Sequence, residues 1–377
     1  MKHICFLTSA FGRRDSLIVI RQAQSLVSHG YKVSYILCDD LPNEEKFGID
    51  MISVGKSEKK GWKRLLLNPI RLKRIIKKYP ADVYQISEPE LLLLGLYLRR
   101  KGFKVVFNLR EWYPVYYSRR FKILWFQKMI NYFVESFFHH VAKKYDGVFN
   151  CMPEMHDYIY RVMPCKYFVD VANFPVVNES FSLSYDEYLS RDNIISYFGS
   201  IYSISCQEVF LSAIEPISNV KYLLAGVFYS DEYRNKVMSH PAWNKVEFIN
   251  GFAREELPGI INRSIMGNVM KDFNQTETPQ GSYSIIKIFE TMEAAVPVIL
   301  AKVPLYEQMV EKYHCGICVD PHNVEEIRKA VLYLLDNKKE AYEMGQNGRR
   351  AVLEEFSWNS QYKNYLYVIQ QLTDNKK

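Results

Sequence analysis

The stretch Gly281-Ser-Tyr-Ser-Ile-Ile-Lys287-Ile-Phe-Glu290-Thr-Met-Glu293-Ala-Ala-Val-Pro297-Val-Ile-Leu300 decides the fold. A short polar loop gives way to a run with helical period, then to a β-branched apolar run, and residues 265–270 just before it form another such run. Strand, loop, helix and strand in that order make the unit from which parallel sheets are built. Ser284 is the predicted N-cap of the helix. The free N–H groups and positive dipole end of such a helix suit a diphosphate. Lys287 and Glu290 lie three apart and so share a face, the first able to pair with phosphate and the second to accept from vicinal hydroxyls. The same spacing also makes an ordinary surface ion pair, so the two residues alone leave both readings open.

Outward from this unit the pattern repeats. Strands are predicted at 194–198, 220–225, 246–249, 265–270, 297–300 and 316–319, each followed by a helical stretch. The first half runs the same scheme with strands at 4–9, 32–37, 82–86, 104–109 and 147–151. A helix over 15–29 is stopped by Gly30, and another begins at Pro89 and ends at Gly102. The expected fold is therefore α/β, with two Rossmann-like doubly wound lobes facing across a cleft. Residues 1–178 form the first lobe, 179–192 a linker and 193–356 the second lobe. A helical segment at 357–377 has no strand after it and is expected to pack back on the first lobe.

With 377 residues, 48% hydrophobic and 24% charged, the chain is long enough for two cores and is not a disordered sequence. The opening lacks the apolar core of a secretory signal, and no run approaches the ~20 apolar residues of a membrane span. Seven scattered cysteines read as reduced thiols, and Cys315 with Cys318 has no second pair to complete a zinc site. Each lobe opens with a strand running into a small-residue turn, Thr8-Ser-Ala-Phe11-Gly12 and Phe198-Gly199-Ser200, of a kind that lets backbone N–H groups approach a phosphate. Neither turn is G-x-G-x-x-G, and no P-loop is present, which disfavours a nicotinamide oxidoreductase.

The segment from Gly281 through Val303-Pro-Leu-Tyr-Glu to Cys315-Gly-Ile-Cys-Val-Asp-Pro resembles the donor-binding signature of the retaining, two-lobed GT-B glycosyltransferases of family 4. The likeness extends over nearly the whole chain. Asp82-Val-Tyr-Gln-Ile-Ser-Glu-Pro-Glu-Leu-Leu is similar to the D-x-Y-H-x-H-D-P-E-L-L element of members that build bacterial surface polysaccharides such as O-antigen and capsule. Asn108-Leu-Arg-Glu-Trp-Tyr-Pro114 resembles a strand ending in H-E-x-Y-P, and Asn173-Phe-Pro175, Gly345-Gln-Asn-Gly-Arg349 and Phe356-Ser-Trp358 resemble the family's N-x-P, G-x-N-G-R and F-x-W elements.

The resemblance implies roles. Glu290, as the second glutamate of E-x7-E, would hold the donor ribose, with Lys287, Gly199 and Ser200 at the diphosphate and Gly251 and Phe252 near the base. Ser282, Tyr283 and Ser284 would line the hexose; Phe11, Gly12 and Glu88 would border the acceptor. Arg110, Glu111 and Lys287 are the catalytic candidates. Several positions depart from the pattern: Ser282 replaces the first glutamate, Arg110 the histidine of H-E, Ser87-Glu88 a His-Asp, and Ser205-Cys206 an Arg-Gly. Arg110 could restore positive charge at the diphosphate, since guanidinium binds phosphate well. These departures also fit a relative that kept the fold as a binding or scaffolding partner, and a sugar-nucleotide epimerase shares the architecture.

Net charge is +7, yet residues 56–78 alone hold ten Lys or Arg against Glu58. Asn68-Pro69 reads as N-cap and first residue of a basic amphipathic helix there, preceded by Trp62 and Leu65-Leu66-Leu67, a mixture suited to an anionic membrane surface. Ten aromatic residues between Trp112 and Tyr145, interspersed with Arg119, Arg120, Lys122 and Lys128, fall in the same lobe. No RNA-binding signature accompanies them, and a nucleic-acid partner is not expected. The expected activity is retaining transfer of a hexose from a nucleotide diphosphate sugar to a lipid-linked surface glycan. The expected partners are the nucleotide sugar, the lipid-linked acceptor and the inner face of the cell membrane, on which a cytoplasmic, peripheral protein would sit. The nucleotide sugar is a co-substrate; no cofactor is expected, and no D-x-D element supports a metal.

Overall fold

The computed structural model of the protein describes residues 1–374 except 57, 59, 60, 120, 122, 179, 180 and 277, and omits the side chains of 61, 62 and 275. The chain divides into two units, Met1–Asn173 with Trp358–Lys377, and Phe174–Ser357.

In the first unit eight strands form one sheet: β1 His3–Thr8, β2 Lys32–Leu37, β3 Glu44–Lys46, β4 Ile49–Ser53, β5 Val83–Ile86, β6 Lys104–Leu109, β7 Gly147–Asn150 and β8 Tyr167–Asp170. Their order across the sheet is β3-β4-β2-β1-β5-β6-β7-β8, and all neighbours run parallel except β3 on β4. Strands buried on both faces read as continuous apolar runs, as in Ile4-Cys-Phe-Leu7 and Val105-Val-Phe107. One face packs Leu72, Ile76, Leu92, Phe138 and Val141; the other packs Leu17, Ile18 and, from the far end of the chain, Trp358, Tyr365, Val368, Ile369 and Leu372. The last helix, Trp358–Asp374, thus covers the first unit's sheet.

In the second unit six parallel strands follow: β9 Ile194–Ile201, β10 Lys221–Phe228, β11 Val246–Asn250, β12 Met266–Asn268, β13 Val298–Ala301 and β14 Gly316–Val319. They lie in the order β11-β10-β9-β12-β13-β14. Counted along the chain this is 3-2-1-4-5-6, the doubly wound order that winds outward in both directions from its first strand. The reversal falls between β9 and β12, and in the first unit between β1 and β5. Loops leaving the two strands there turn to opposite faces, which opens a crevice at their carboxyl ends.

Local details correct several expectations. The helix at 56–78 spans Gly61–Ile76 with Pro69 inside it, so Asn68 is no N-cap. Asn68 is buried instead, bonding the backbone of Glu58 in both directions at 3.2 Å. Residues 16–28 begin as a π-helix, Ser16–Ala23, capped by Asp15, and continue as the α-helix Gln24–Ser28. The decisive helix is Ile286–Glu293 with Ile285 as cap, so it starts one step later than a Ser284 cap predicts. Within the expected linker 179–192 lies the helix Tyr185–Ser190, closed by a reciprocal capping box between Ser184 and Glu187; Glu179 and Ser180 fall outside the described residues. No helix among the described residues is long and apolar enough to cross a membrane.

Candidate functional site

At the switch point of the second sheet a pocket of about 410 Å³ opens. β9 supplies Tyr197, Phe198, Gly199 and Ser200; the segment after β12 supplies Val269, Met270 and Lys271; and the start of the helix Ile286–Glu293 supplies Ser284 to Lys287 and Glu290. Phe252, Arg254 and Leu257 close the side beyond β11. The walls are largely apolar, with Lys271, Lys287, Arg254 and Glu290 as their charged groups.

Close backbone approach builds the floor. At Gly226, on β10 beside Gly199, a Cβ would stand 1.8 Å from the Gly199 carbonyl oxygen, and both residues adopt positive φ. Only glycine permits this pinch. Lys287 then folds over the Gly199 turn: its ammonium donates to the Tyr197 hydroxyl at 2.8 Å and sits 4.0 Å from that ring's centroid. The Tyr197 hydroxyl in turn donates to the Ser200 carbonyl at 2.8 Å. No side chain caps the helix start, so its dipole and the Lys287 charge point to one place, where they favour an anion. One turn further on, Glu290 is buried and its Oε1 accepts from Arg254 Nη2.

Six expected donor-side residues line this pocket: Gly199, Ser200, Phe252, Ser284, Lys287 and Glu290. Gly251, Ser282 and Tyr283 do not. Gly251 sits against Val227; Ser282 is buried, its carbonyl accepting from the Tyr306 hydroxyl at 2.8 Å and its hydroxyl accepting from the Ser284 N–H at 3.1 Å. Tyr283 packs among the rings of Phe174, Phe289 and Phe356. These residues shape the loop. Tyr197, Arg254 and Lys271 were not anticipated. Tyr197 was legible in retrospect, because two residues before Gly199 on a strand it shares that residue's face.

The first unit has its own polar cluster at the β1/β5 switch point. Glu88 is buried, and its Oε1 accepts from Thr8 Oγ1, from Ala10 N at 3.0 Å and from Ser9 N at 3.2 Å. Burial raises its carboxyl to about 7, with Glu90 adding to the effect and the Thr8 bond opposing it. Oε2 has no partner among the described residues. Arg64 Nε meets Glu90 Oε1 at 2.5 Å, and Ser9 Oγ donates to the same atom at 2.6 Å. Arg110 pairs with Asp15 at 2.8 Å and lies 3.8 Å from the centroid of the Phe11 ring. Its charge is thus committed within the first unit, where Glu111 and Gly12 are exposed beside it. Among the described residues no group of His, Cys, Asp and Glu could hold a metal ion.

Residues 188–351 match the family model described as glycosyl transferases group 1, and residues 17–167 match that of glycosyltransferase family 4. No curated protein matches the sequence. Solved structures agree in fold. Sucrose-phosphate synthase from Thermosynechococcus elongatus superposes with a TM-score of 0.75 at 15% identity, each chain covered in full. HepE from Anabaena, in complex with UDP and glucose, gives 0.74 at 12% identity over 98% of this chain and 100% of that one. WaaG, a glycosyltransferase involved in lipopolysaccharide biosynthesis, gives 0.69 at 13% identity over 97% and 99%.

Proposed function

We propose that this chain, a glycosyltransferase of the GT-B fold built from a family 4 domain and a group 1 domain, takes a hexose from a nucleotide diphosphate sugar and transfers it with retention to a lipid-linked surface glycan. The observation that carries the donor half is the second-unit pocket, where an uncapped helix start and Lys287 converge on the Gly199 turn beside the buried Glu290. Diphosphate would lie on the cations and helix dipole, and ribose hydroxyls on the carboxylate. Neighbours of the same fold solved with UDP and UDP-glucose support this reading. A diphosphate stabilised in place is a good leaving group, so positioning and fixed charge supply most of the acceleration, with little acid or base demanded of the protein. Its departing oxygen would take the proton of the incoming hydroxyl on the same face, the route by which the transfer would retain configuration.

The lipid-linked acceptor and the membrane surface rest on the first unit. Its helix Gly61–Ile76 exposes Leu65, Leu66 and Ile70 beside a row of cations, and its helix Leu124–Ala142 buries only Phe138, Val141 and Ala142 while Leu124, Trp125, Tyr132 and Phe133 stand in solvent. Bulky apolar groups among lysines suit an anionic headgroup layer. Trp62's side chain, Arg120 and Lys122, expected to contribute, lie outside the described residues. The main test is incubation with a panel of nucleotide sugars and lipid-linked acceptors, with the anomeric configuration of the product read by NMR. Absence of binding to every nucleoside diphosphate by calorimetry would defeat the donor half. Reversing charge at Lys73, Arg74, Lys77 and Lys78 should release the protein from anionic vesicles; unchanged binding removes the membrane half.

A further inference from the structure

Arg254 is one of the pocket residues that no motif announced. It opens a short 3-10 turn, Arg254–Glu256, that is pinned from behind by Glu256 Oε2 accepting from Ala253 N at 2.6 Å. From there its side chain, 43% exposed, crosses the pocket mouth to meet a carboxylate only 4% exposed. A buried polar group that deep is costly unless it is hydrogen-bonded, and Arg254 supplies the bond. The need is sharpened by Glu293, three residues further along the same helix. Burial raises the Glu293 carboxyl, the Glu290 charge raises it further, and Arg254 and Arg349 oppose the rise. Two carboxylates one helical turn apart repel, and Arg254 is the cation that meets Glu290 directly. Lys287, the other cation of that helix face, is turned away onto Tyr197 and the Gly199 turn.

The contact uses one oxygen. Arg254 Nη2 engages Oε1, and Oε2 of Glu290 carries no hydrogen bond among the described residues. We propose that Arg254 is a positioning residue for the donor's ribose: it holds Glu290 as an aimed carboxylate with one oxygen committed and the other presented to the ribose diol. This rests on reading the pocket as a nucleotide-sugar site. The guanidinium fixes the rotamer of Glu290, so the diol meets a preset acceptor rather than a side chain that must first be ordered.

The experiment measures, by calorimetry on the full chain, affinities for the four common ribonucleoside diphosphates and their 2'-deoxy counterparts. For whichever base binds, the ribo form should be favoured about tenfold or more over the deoxy form, since a buried acceptor loses its donor in the latter. Arg254→Gln should bring that ratio close to one and lower the melting temperature, since it leaves the Glu290 carboxylate without its cation, and Arg254→Lys should restore most of both. Adding Arg254→Gln to Glu290→Gln should change the ratio no further. An unchanged ratio in Arg254→Gln, or an equal loss of ribo and deoxy forms, overturns the assignment and moves Arg254 to the phosphates or to the fold. Equal binding of the two forms by the unaltered protein overturns it as well, and leaves the nucleotide reading standing. A protein that binds no nucleoside diphosphate fails at the earlier step, the nucleotide reading itself.

Discussion

Glu88 shows how one residue converts burial into a pH response. Its carboxyl titrates near 7 in the folded chain and near its ordinary value when unfolded, so the native state holds a proton that the unfolded state gives up. The stability tied to that proton is complete below about pH 4.5 and is lost as pH rises through 7. The unfolding free energy of the unaltered protein, from urea titrations, should therefore fall between pH 5 and 8 by an amount on the order of 2–3 kcal/mol, and Glu88→Gln should flatten that window. A slope that survives the substitution would place the proton elsewhere. On the donor side, Lys287→Ala should weaken nucleoside diphosphate binding roughly 10–100-fold, the range of a lost charge-assisted bond, with the fold unharmed because among the described residues the ammonium's one hydrogen bond is to the Tyr197 hydroxyl. Lys287 and Glu290, both of which line the pocket, were singled out in the sequence by their three-residue spacing and by the motif they sit in. Arg254 was not: it reaches Glu290 from a different element, and nothing periodic links residues that meet only through the fold. Ser282 misled for the opposite reason. Its place in a motif suggested contact with sugar, while in the structure its hydroxyl accepts from the Ser284 N–H and its carbonyl from the Tyr306 hydroxyl.

At the level of elements, alternating apolar runs and helical periods made both parallel sheets readable, since doubly wound strands carry their burial on their sleeves as unbroken Val, Ile and Leu. Ends were less readable. Asn68-Pro69 has the chemistry of a helix start, yet the helix passes through it: Leu72 and Ile76 anchor the second half in the core, and Asn68 finds better hydrogen bonds at Glu58 than as a cap. The π-turn at 16–23 leaves no mark in composition at all. The most exacting element contact is β9 on β10. Gly226→Ala would drive a methyl group into the Gly199 carbonyl, and the strands would have to part at the pocket floor. We expect a loss of about 2–3 kcal/mol in thermal stability together with loss of nucleoside diphosphate binding, a coupled result that differential scanning calorimetry and titration would read in the same sample. Retained affinity at lowered stability would show the floor to be looser than its glycines imply.

Taken as a whole, the molecule is one unit inserted into another, because Trp358–Asp374 belongs to the sheet that His3–Thr8 began. The closing helix is fixed by more than apolar area. The Tyr365 hydroxyl donates to Gln85 Oε1 at 3.0 Å, Gln85 Nε2 donates to Gln22 at 2.7 Å, and Asn108 joins the same acceptor at 3.2 Å, all beneath the surface. Removing residues 358–377 strips five large buried side chains from the first unit, on the order of 5–10 kcal/mol, as much as a whole domain's margin. The shortened chain should be insoluble or molten on expression, as judged by near-UV circular dichroism and dye binding. Recovery on adding the helix as a separate peptide would identify the cause. That arrangement also sets an order of events on the ribosome. At ~5–20 residues per second, the segment Phe174–Ser357 takes roughly ten to forty seconds to synthesise. Throughout that interval the first unit has emerged with Gln22, Gln85 and a band of apolar side chains awaiting a cover not yet translated, while the second unit, contiguous in sequence, is free to finish first.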